Sequence, residues 1–446
     1  MKWATYNLLF AAVYPFLLPG FLARMLRRGG YAARMGDRFA LYPDRIHEAL
    51  RRPGSPFVWI HAVSVGEVQV AGQLMREWRA AEPGVRFCFS TTSSTGWKMA
   101  EREVGEDDVL IYNPLDFPNF VKSALKTVRP RAVVLTESEI WPNFILRAKR
   151  MGVPLFLVNA RVSDRSAPRY RLGRVFFADV FSAFTRIFAQ SDLDKSRLVA
   201  AGAPDGIVDV TGSFKFDVAR RNEAKERELE KWMFGEAGRS GAASCKIILG
   251  GSTWPGEDEV LLSVYRKMLD SKPDFTPILV IAPRHFEKAD AVEANIAAAG
   301  FTCVRRSRSQ ALEPPQPTNL PTHNSQLTLP PPVFLTDTTG ELMGLYGIAD
   351  VVFVGKSLCA HGSQNMIEPC LCGKPTFVGP YTENFRPVMS DLLASGAIVQ
   401  VADAAELGEK MCASLSDDGG LGARAKAAVE ARKGVVARCV AAIRGQ

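Results

Sequence analysis

The strongest constraint on the fold is a repeated alternation of short apolar runs with helical patterns, in two series divided by one polar stretch. In the first series FVWIHA (57–62) precedes a helical pattern from about Glu67, and VRFCFS (85–90) precedes TGWKMAERE. RAVVL (131–135), PLFLVNA (154–160) and TRIFAQ (185–190) each feed a loop and then another helix. This is the β-α alternation of a parallel sheet. The stretch RRNEAKERELEKW (220–232) interrupts it, and KIILGGS (246–252), PILVIAP (277–283) and VVFVGKS (351–357) begin it again.

Two Rossmann-like domains follow from that pattern, the first ending near Thr211, and 446 residues are enough to give each its own core. Two such domains imply a cleft between them. Ligands of open parallel sheets bind beyond the carboxyl ends of the strands, so the loops after these runs are where chemistry is expected. The expected boundaries are a first segment over 1–30, domains over 31–215 and 216–420, and a helix over 421–446 packing back on the domains.

The first segment is the least globular part. From Trp3 to Ala23 there is no charge over 21 residues, about the length a helix needs to cross a bilayer. Arg24, Arg27, Arg28, Arg34 and Arg38 follow it, which places everything downstream on the cytoplasmic side. Bulky Phe21, Leu22 and Met25 argue for a retained signal anchor rather than a cleaved peptide. Pro15, Pro19 and Gly20 leave three arrangements open: spanning, lying in the interface, or packing on the protein.

A formal charge of +8 suits an anionic partner, whether nucleic acid, a membrane surface or a phosphorylated substrate. The eight cysteines sit mostly in apolar runs, as buried free thiols would in a reducing compartment, and the Cys370-x-Cys372 pair has no second ligand pair nearby. Residues 313–332 are rich in proline and lack apolar periodicity, so they read as a surface loop without catalytic residues, His323 included.

Candidate site residues lie at strand ends. His61-Ala-Val-Ser-Val-Gly-Glu67 puts Glu67 in a first helical turn beside Gly66; it reads either as a general base or as an ordinary glutamate at a helix start. Glu137 and Glu139 follow RAVVL and, being two apart, point oppositely, so one faces the site and the other caps or pairs. Lys215 and Arg284 are cations placed to neutralise phosphate, or else solvated surface charges, with Asp217 as a pairing partner for Lys215. Asp337-Thr-Thr-Gly340-Glu341-Leu342 carries capping residues before a helix, and in Asn365-Met366-Ile367-Glu368 the glutamate is suited to accept from two ribose hydroxyls. G-x-G-x-x-G after a strand, a P-loop, H-E-x-x-H and paired C-x-x-C are all missing, which favours an enzyme without metal or cofactor.

HAVSVGE, TESEIWPN, NARVSDRS, GSFKFD, APRH, DTTGELMGLYGIADVVFVG and NMIEP, in that order, resemble the 3-deoxy-D-manno-octulosonic acid (Kdo) transferases along nearly the whole chain. The resemblance implies a GT-B fold: an α/β protein with two Rossmann-like domains facing a cleft, an N-terminal acceptor domain and a C-terminal CMP-sugar-binding domain, behind a membrane-anchor helix. It implies metal-independent, inverting transfer of Kdo from CMP-Kdo to lipid A precursor (lipid IVA) in lipopolysaccharide core biosynthesis. It also implies the cytoplasmic face of the inner membrane as the location, and no nucleic acid partner.

Carried onto this chain, the resemblance makes Glu67 the general base and gives Glu137 and Lys215 transition-state stabilisation. Pro283, Arg284, Gly340, Glu341, Leu342, Asn365, Met366, Ile367 and Glu368 become CMP contacts. The family pattern Gly-Gly-His-Asn-Pro-Leu-Glu-Pro reads Gly362-Ser-Gln-Asn-Met-Ile-Glu-Pro369 here, so Gln364 and Met366 alter that contact set. Two alternatives are a GT-B lipid glycosyltransferase using a UDP-sugar, and a membrane-tethered lipid-A-binding protein with a degenerate donor site.

Overall fold

The computed structural model describes residues 32–236, 239, 245–309 and 330–445, together with 3, 6–8, 12 and 16. The chain divides into two compact units, Met1–Val218 with Gly434–Gln446, and Ala219–Lys433. Each is built on one seven-stranded sheet in which every pairing is parallel.

In the first unit the strands are β1 (Val58–His61), β2 (Phe87–Thr91), β3 (Val109–Tyr112), β4 (Ala132–Thr136), β5 (Leu155–Ala160), β6 (Arg186–Ala189) and β7 (Val208–Val210), in the order β3-β2-β1-β4-β5-β6-β7. Both faces of the sheet are covered, so the strands read as continuous apolar runs rather than alternating ones. Successive side chains of β1 still part company: Trp59 joins the cluster with Val121, Phe144 and Ile145, whereas Val58 and Ile60 join Val68, Leu74 and Val440 on the other face.

The second unit contains β8 (Cys245–Thr253), β9 (Thr276–Pro283), β10 (Cys303–Arg305), β11 (Val333–Leu335), β12 (Val351–Val354), β13 (Thr376–Val378) and β14 (Val399–Gln400), ordered β10-β11-β9-β8-β12-β13-β14. In both sheets the first strand has neighbours reached by connections running in opposite directions. Strand order therefore reverses beside β1 and β8, the positions at whose carboxyl ends open parallel sheets take their ligands.

The expected single helix over 421–446 is two helices. Leu421–Glu430 packs on the helix Ile367–Leu371 of the second unit, and Val435–Arg444 packs on the helix Val65–Ala81 of the first. Gly434, at φ 81°, takes the left-handed turn between them. The Asp217 carboxylate accepts from the Gly434 and Val436 N–H groups at 2.6 and 2.7 Å, capping the last helix. Asp217 is thus bound to a segment more than two hundred residues away.

The membrane-anchor helix expected over 1–30 lies outside the described residues except for Trp3, Tyr6–Leu8, Ala12 and Phe16. Among the described residues no helix is long and apolar enough to cross a membrane. Tyr6 Oη donates to Asp116 Oδ2 at 3.3 Å, and Trp3 packs against the first unit's core. The proline-rich loop, His323 included, lies outside the described residues apart from 330–332.

Candidate active site

The helix Val65–Ala81 starts where β1 ends, and its first turn is tied by reciprocal bonds. The Ser64 hydroxyl accepts from the Glu67 N–H at 3.2 Å and donates to Glu67 Oε1 at 2.9 Å, while the Val63 N–H donates to Oε2 at 2.9 Å. This is a capping-box arrangement. Thr136 Oγ1, at the end of β4, lies 3.0 Å from His61 O and 3.4 Å from Glu67 Oε2. The carboxylate is therefore oriented from two neighbouring strand ends. A Cβ on Gly66 would meet nothing nearer than Ser64 Oγ at 4.0 Å, so a ligand can approach this turn closely. Glu67 is both the helix-start glutamate and an oriented, part-exposed carboxylate.

At the end of β4 the backbone enters the left-handed region at Glu137 (φ 51°), and Asn159 in neighbouring β5 does the same (φ 52°). Each costs about 1–2 kcal/mol in a residue with a side chain, and such strain gathers at functional sites. The two residues sustain each other: Asn159 Nδ2 donates to Glu137 Oε1 at 3.2 Å, the Phe214 N–H donates to Asn159 Oδ1 at 3.0 Å, and Gln190 Nε2 donates to Asn159 O at 2.9 Å. Asn159 thereby links Glu137 to the segment that delivers Lys215.

Burial pushes the Glu137 carboxyl above the usual carboxylate range; the Lys215 ammonium pulls it down, and Glu67 pushes it up again. Burial likewise holds Lys215 below the usual lysine range, against the opposing pull of Glu137. Glu67, Glu137 and Lys215, from three distant stretches of sequence, form one electrostatically coupled group, with Arg161 and Glu139 at its margin. Glu139 accepts from Trp141 Nε1 at 2.9 Å, and its Oε2 is 3.6 Å from Nε2 of the fully buried His61. The His61 Nδ1 side meets Ser90 O and Oγ at 3.0 and 2.9 Å. Of the two carboxylates after β4, Glu139 is thus the pairing one and Glu137 the one that shares the charge of Lys215.

In the second unit Pro283 ends β9, and exposed Arg284 follows, its N–H donating to Thr253 O at 3.0 Å. Gly340, at φ 84°, turns the chain after β11, with nothing within 4 Å of an added Cβ. The side chains of that loop serve the interior. Glu341 is 4% exposed and paired with Arg306 at 3.1 Å, with Lys225 Nζ at 3.9 Å and the Thr338 hydroxyl at 2.5 Å. Met366 and Ile367 are wholly buried, so their side chains fill the core of the second unit. Leu342, half-buried, opens the helix Leu342–Ile348. Asn365 Nδ2 donates to Glu368 Oε1 at 3.0 Å and Asn365 Oδ1 accepts from the Ile367 N–H at 3.2 Å; burial raises the Glu368 carboxyl while the Asn365 bond lowers it.

Glu257, which the sequence reading did not single out, organises this end of the sheet. Fully buried at the start of the helix Glu257–Asp270, it accepts from the N–H groups of Trp254 (2.8 Å), Lys356 (2.8 Å), Ser357 (3.0 Å) and Leu358 (3.0 Å). It so joins the loops after β8 and β12 across the switch point. The only hint in sequence was the acidic run Glu257-Asp-Glu259 after a glycine, which is ordinary at a helix start.

A family model for 3-deoxy-D-manno-octulosonic-acid transferase matches residues 33–218. The 3-deoxy-D-manno-octulosonic acid transferase of Bordetella pertussis is 33% identical over 84% of this chain and 83% of that one. Its namesake from Haemophilus influenzae is 30% identical over 86% and 84%. Among solved structures, HepE of Anabaena in complex with UDP superposes with a TM-score of 0.55 at 12% identity, covering 88% of this chain and all of that one. A glycosyltransferase from Rickettsia africae does so with 0.54 at 15%, over 87% and 97%. These structural likenesses bear on the fold, which they share with glycosyltransferases. The strand-end carboxylates and their lysine sit inside the matched region, and the chain belongs to the 3-deoxy-D-manno-octulosonic acid transferase family of glycosyltransferases.

Proposed function

We propose that this chain transfers Kdo from CMP-Kdo to a lipid A precursor, lipid IVA, with inversion and without a metal. The observation that carries the reading is the placing of Glu67, Glu137 and Lys215 at the carboxyl ends of β1 and β4 and after β7, with Asn159 bonded both to Glu137 and to the Phe214 N–H beside Lys215. Glu67, oriented by Val63, Ser64 and Thr136, takes the proton of an acceptor hydroxyl as that oxygen attacks the anomeric carbon. Lys215 and Glu137 set the charge around the reacting carbon. CMP leaves with its phosphate charge met by Arg284 and by backbone N–H groups at Gly340 and before the helix Ile367–Leu371, and Glu368 accepts from the ribose.

The uncharged stretch 3–23 and the arginines after it support attachment to the inner membrane with both units on the cytoplasmic side, within reach of a lipid acceptor. The test is transfer with CMP-Kdo and lipid IVA, followed by mass spectrometry of the product. Glu67→Ala is expected to abolish product while CMP still binds; full turnover in that variant sinks the mechanism. Binding and turnover of a UDP-sugar instead of CMP-Kdo would replace the donor assignment.

A further inference from the structure

We infer that Lys356 is a donor-binding residue, a cation held against the phosphate of the nucleotide at the switch point of the second sheet. The inference deepens the donor-binding reading above and rests on it.

Three of the four described non-glycine residues of the second unit that take the left-handed region lie at this switch point: Ser252 in β8 (φ 54°), Lys356 just after β12 (φ 58°) and Ser363 (φ 61°). They are joined to one another. The Gly355 N–H donates to Gly251 O at 2.9 Å, the Ser363 N–H to Lys356 O at 2.6 Å, and Glu257 gathers the N–H groups of Lys356 and its successors. The loop is so closely applied to β8 that a Cβ on Gly355 would come within 2.3 Å of Ser252 O. A glycine would satisfy this backbone at position 356 at no steric cost. A lysine there needs a reason in its side chain.

Its contacts within the protein do not supply one. No carboxylate pairs with Lys356 Nζ among the described residues, whereas Arg305 and Arg306 of the same unit each meet two or more. The ammonium instead lies 4.6 Å from the centroid of the Trp254 ring, whose other close ring contact is His285 at 5.3 Å. Trp254 Nε1–H is buried with no hydrogen-bond partner among the described residues. The indole thus draws the charge from the β12 loop toward the ends of β8 and β9, beside the loop of Arg284. An unpaired ammonium on an aromatic face, at the carboxyl edge of a parallel sheet, fits an anionic oxygen better than it fits a structural role.

The strain supplies the test. Lys356→Gly relieves the backbone and removes the charge, and Lys356→Met keeps the stem over Trp254 and removes only the charge. Binding of CMP and of UDP is titrated at two salt concentrations, alongside thermal melting. Both variants are expected to bind CMP about tenfold or more weakly, as for one lost charge-assisted contact, and with a shallower salt dependence. Lys356→Gly is expected to melt no lower than the parent and up to about 3 °C higher. Lys356→Arg should keep most of the affinity. A lower melting temperature with unchanged CMP affinity in both variants would mark Lys356 as packing only and overturn the inference. If the parent binds UDP and not CMP, with the same dependence on Lys356, the phosphate role stands and the donor assignment falls; binding of neither removes both.

Discussion

The ends of the first and second sheets solve one backbone problem with opposite charge. Each places left-handed, non-glycine residues at its carboxyl edge, Glu137 and Asn159 in one, Ser252, Lys356 and Ser363 in the other. In the first the strained residue is itself a candidate reactive carboxylate, buried enough to need Lys215 and Asn159 beside it. In the second the carboxylate, Glu257, is spent on holding backbone N–H groups, and the groups left over, Arg284 and Lys356, are cations. A site for proton removal needs an available carboxylate and tolerates the repulsion this brings. Under the proposed function the second is a site for a phosphate, which needs fixed positive groups such as Arg284 and Lys356.

The sharpest break in that contrast should come from exchanging roles. Glu67→Ala is expected to lower kcat by about 10²- to 10⁴-fold, with the lost cap costing about 1 kcal/mol. Glu257→Ala should act the other way round. It leaves buried N–H groups at Trp254, Lys356, Ser357 and Leu358 without an acceptor, so about 3 kcal/mol or more of stability should go in urea denaturation. A loss of turnover in Glu257→Ala at full stability would mean that Glu257 acts chemically and would end the distinction.

Lys215→Met tests the compensation in the first unit. A carboxyl whose folded-state pKa is raised holds its proton more tightly in the folded than in the unfolded chain, so stability falls as pH climbs from the ordinary glutamate range through the folded value. Glu137 has this sign already through burial, and Lys215 opposes it. Removing the lysine should widen the fall, measured as the difference in unfolding free energy between pH about 5 and about 8. An unchanged profile would uncouple the pair.

The smallest effect is expected at Ser363. Ser363→Gly relieves left-handed strain of about 1 kcal/mol, partly offset by the freer unfolded chain, for a net gain of about 0.5 kcal/mol with CMP affinity kept. In the second unit strain and charge are separable residue by residue, whereas at Glu137 they reside in one side chain.

The two parallel sheets were legible because their signal is local. Runs such as RAVVL and PLFLVNA became β4 and β5, while β7, β10 and β14, two or three residues each, were too short to stand out. Glu67, Glu137 and Lys215 were visible through ordered motifs and their places after strands, and the chain alone also fixed the family. What no local pattern encodes is which distant charge each group meets. Packing decided that Lys215 shares its charge with Glu137 and that Asp217 caps the helix Val435–Arg444. It also decided that Glu341, read as a nucleotide contact, is buried against Arg306, and that Glu257 ties two loops together. Hydrophobic periodicity is set by neighbours along the chain, but a buried charge is settled by whichever partner the finished fold brings within a few ångströms.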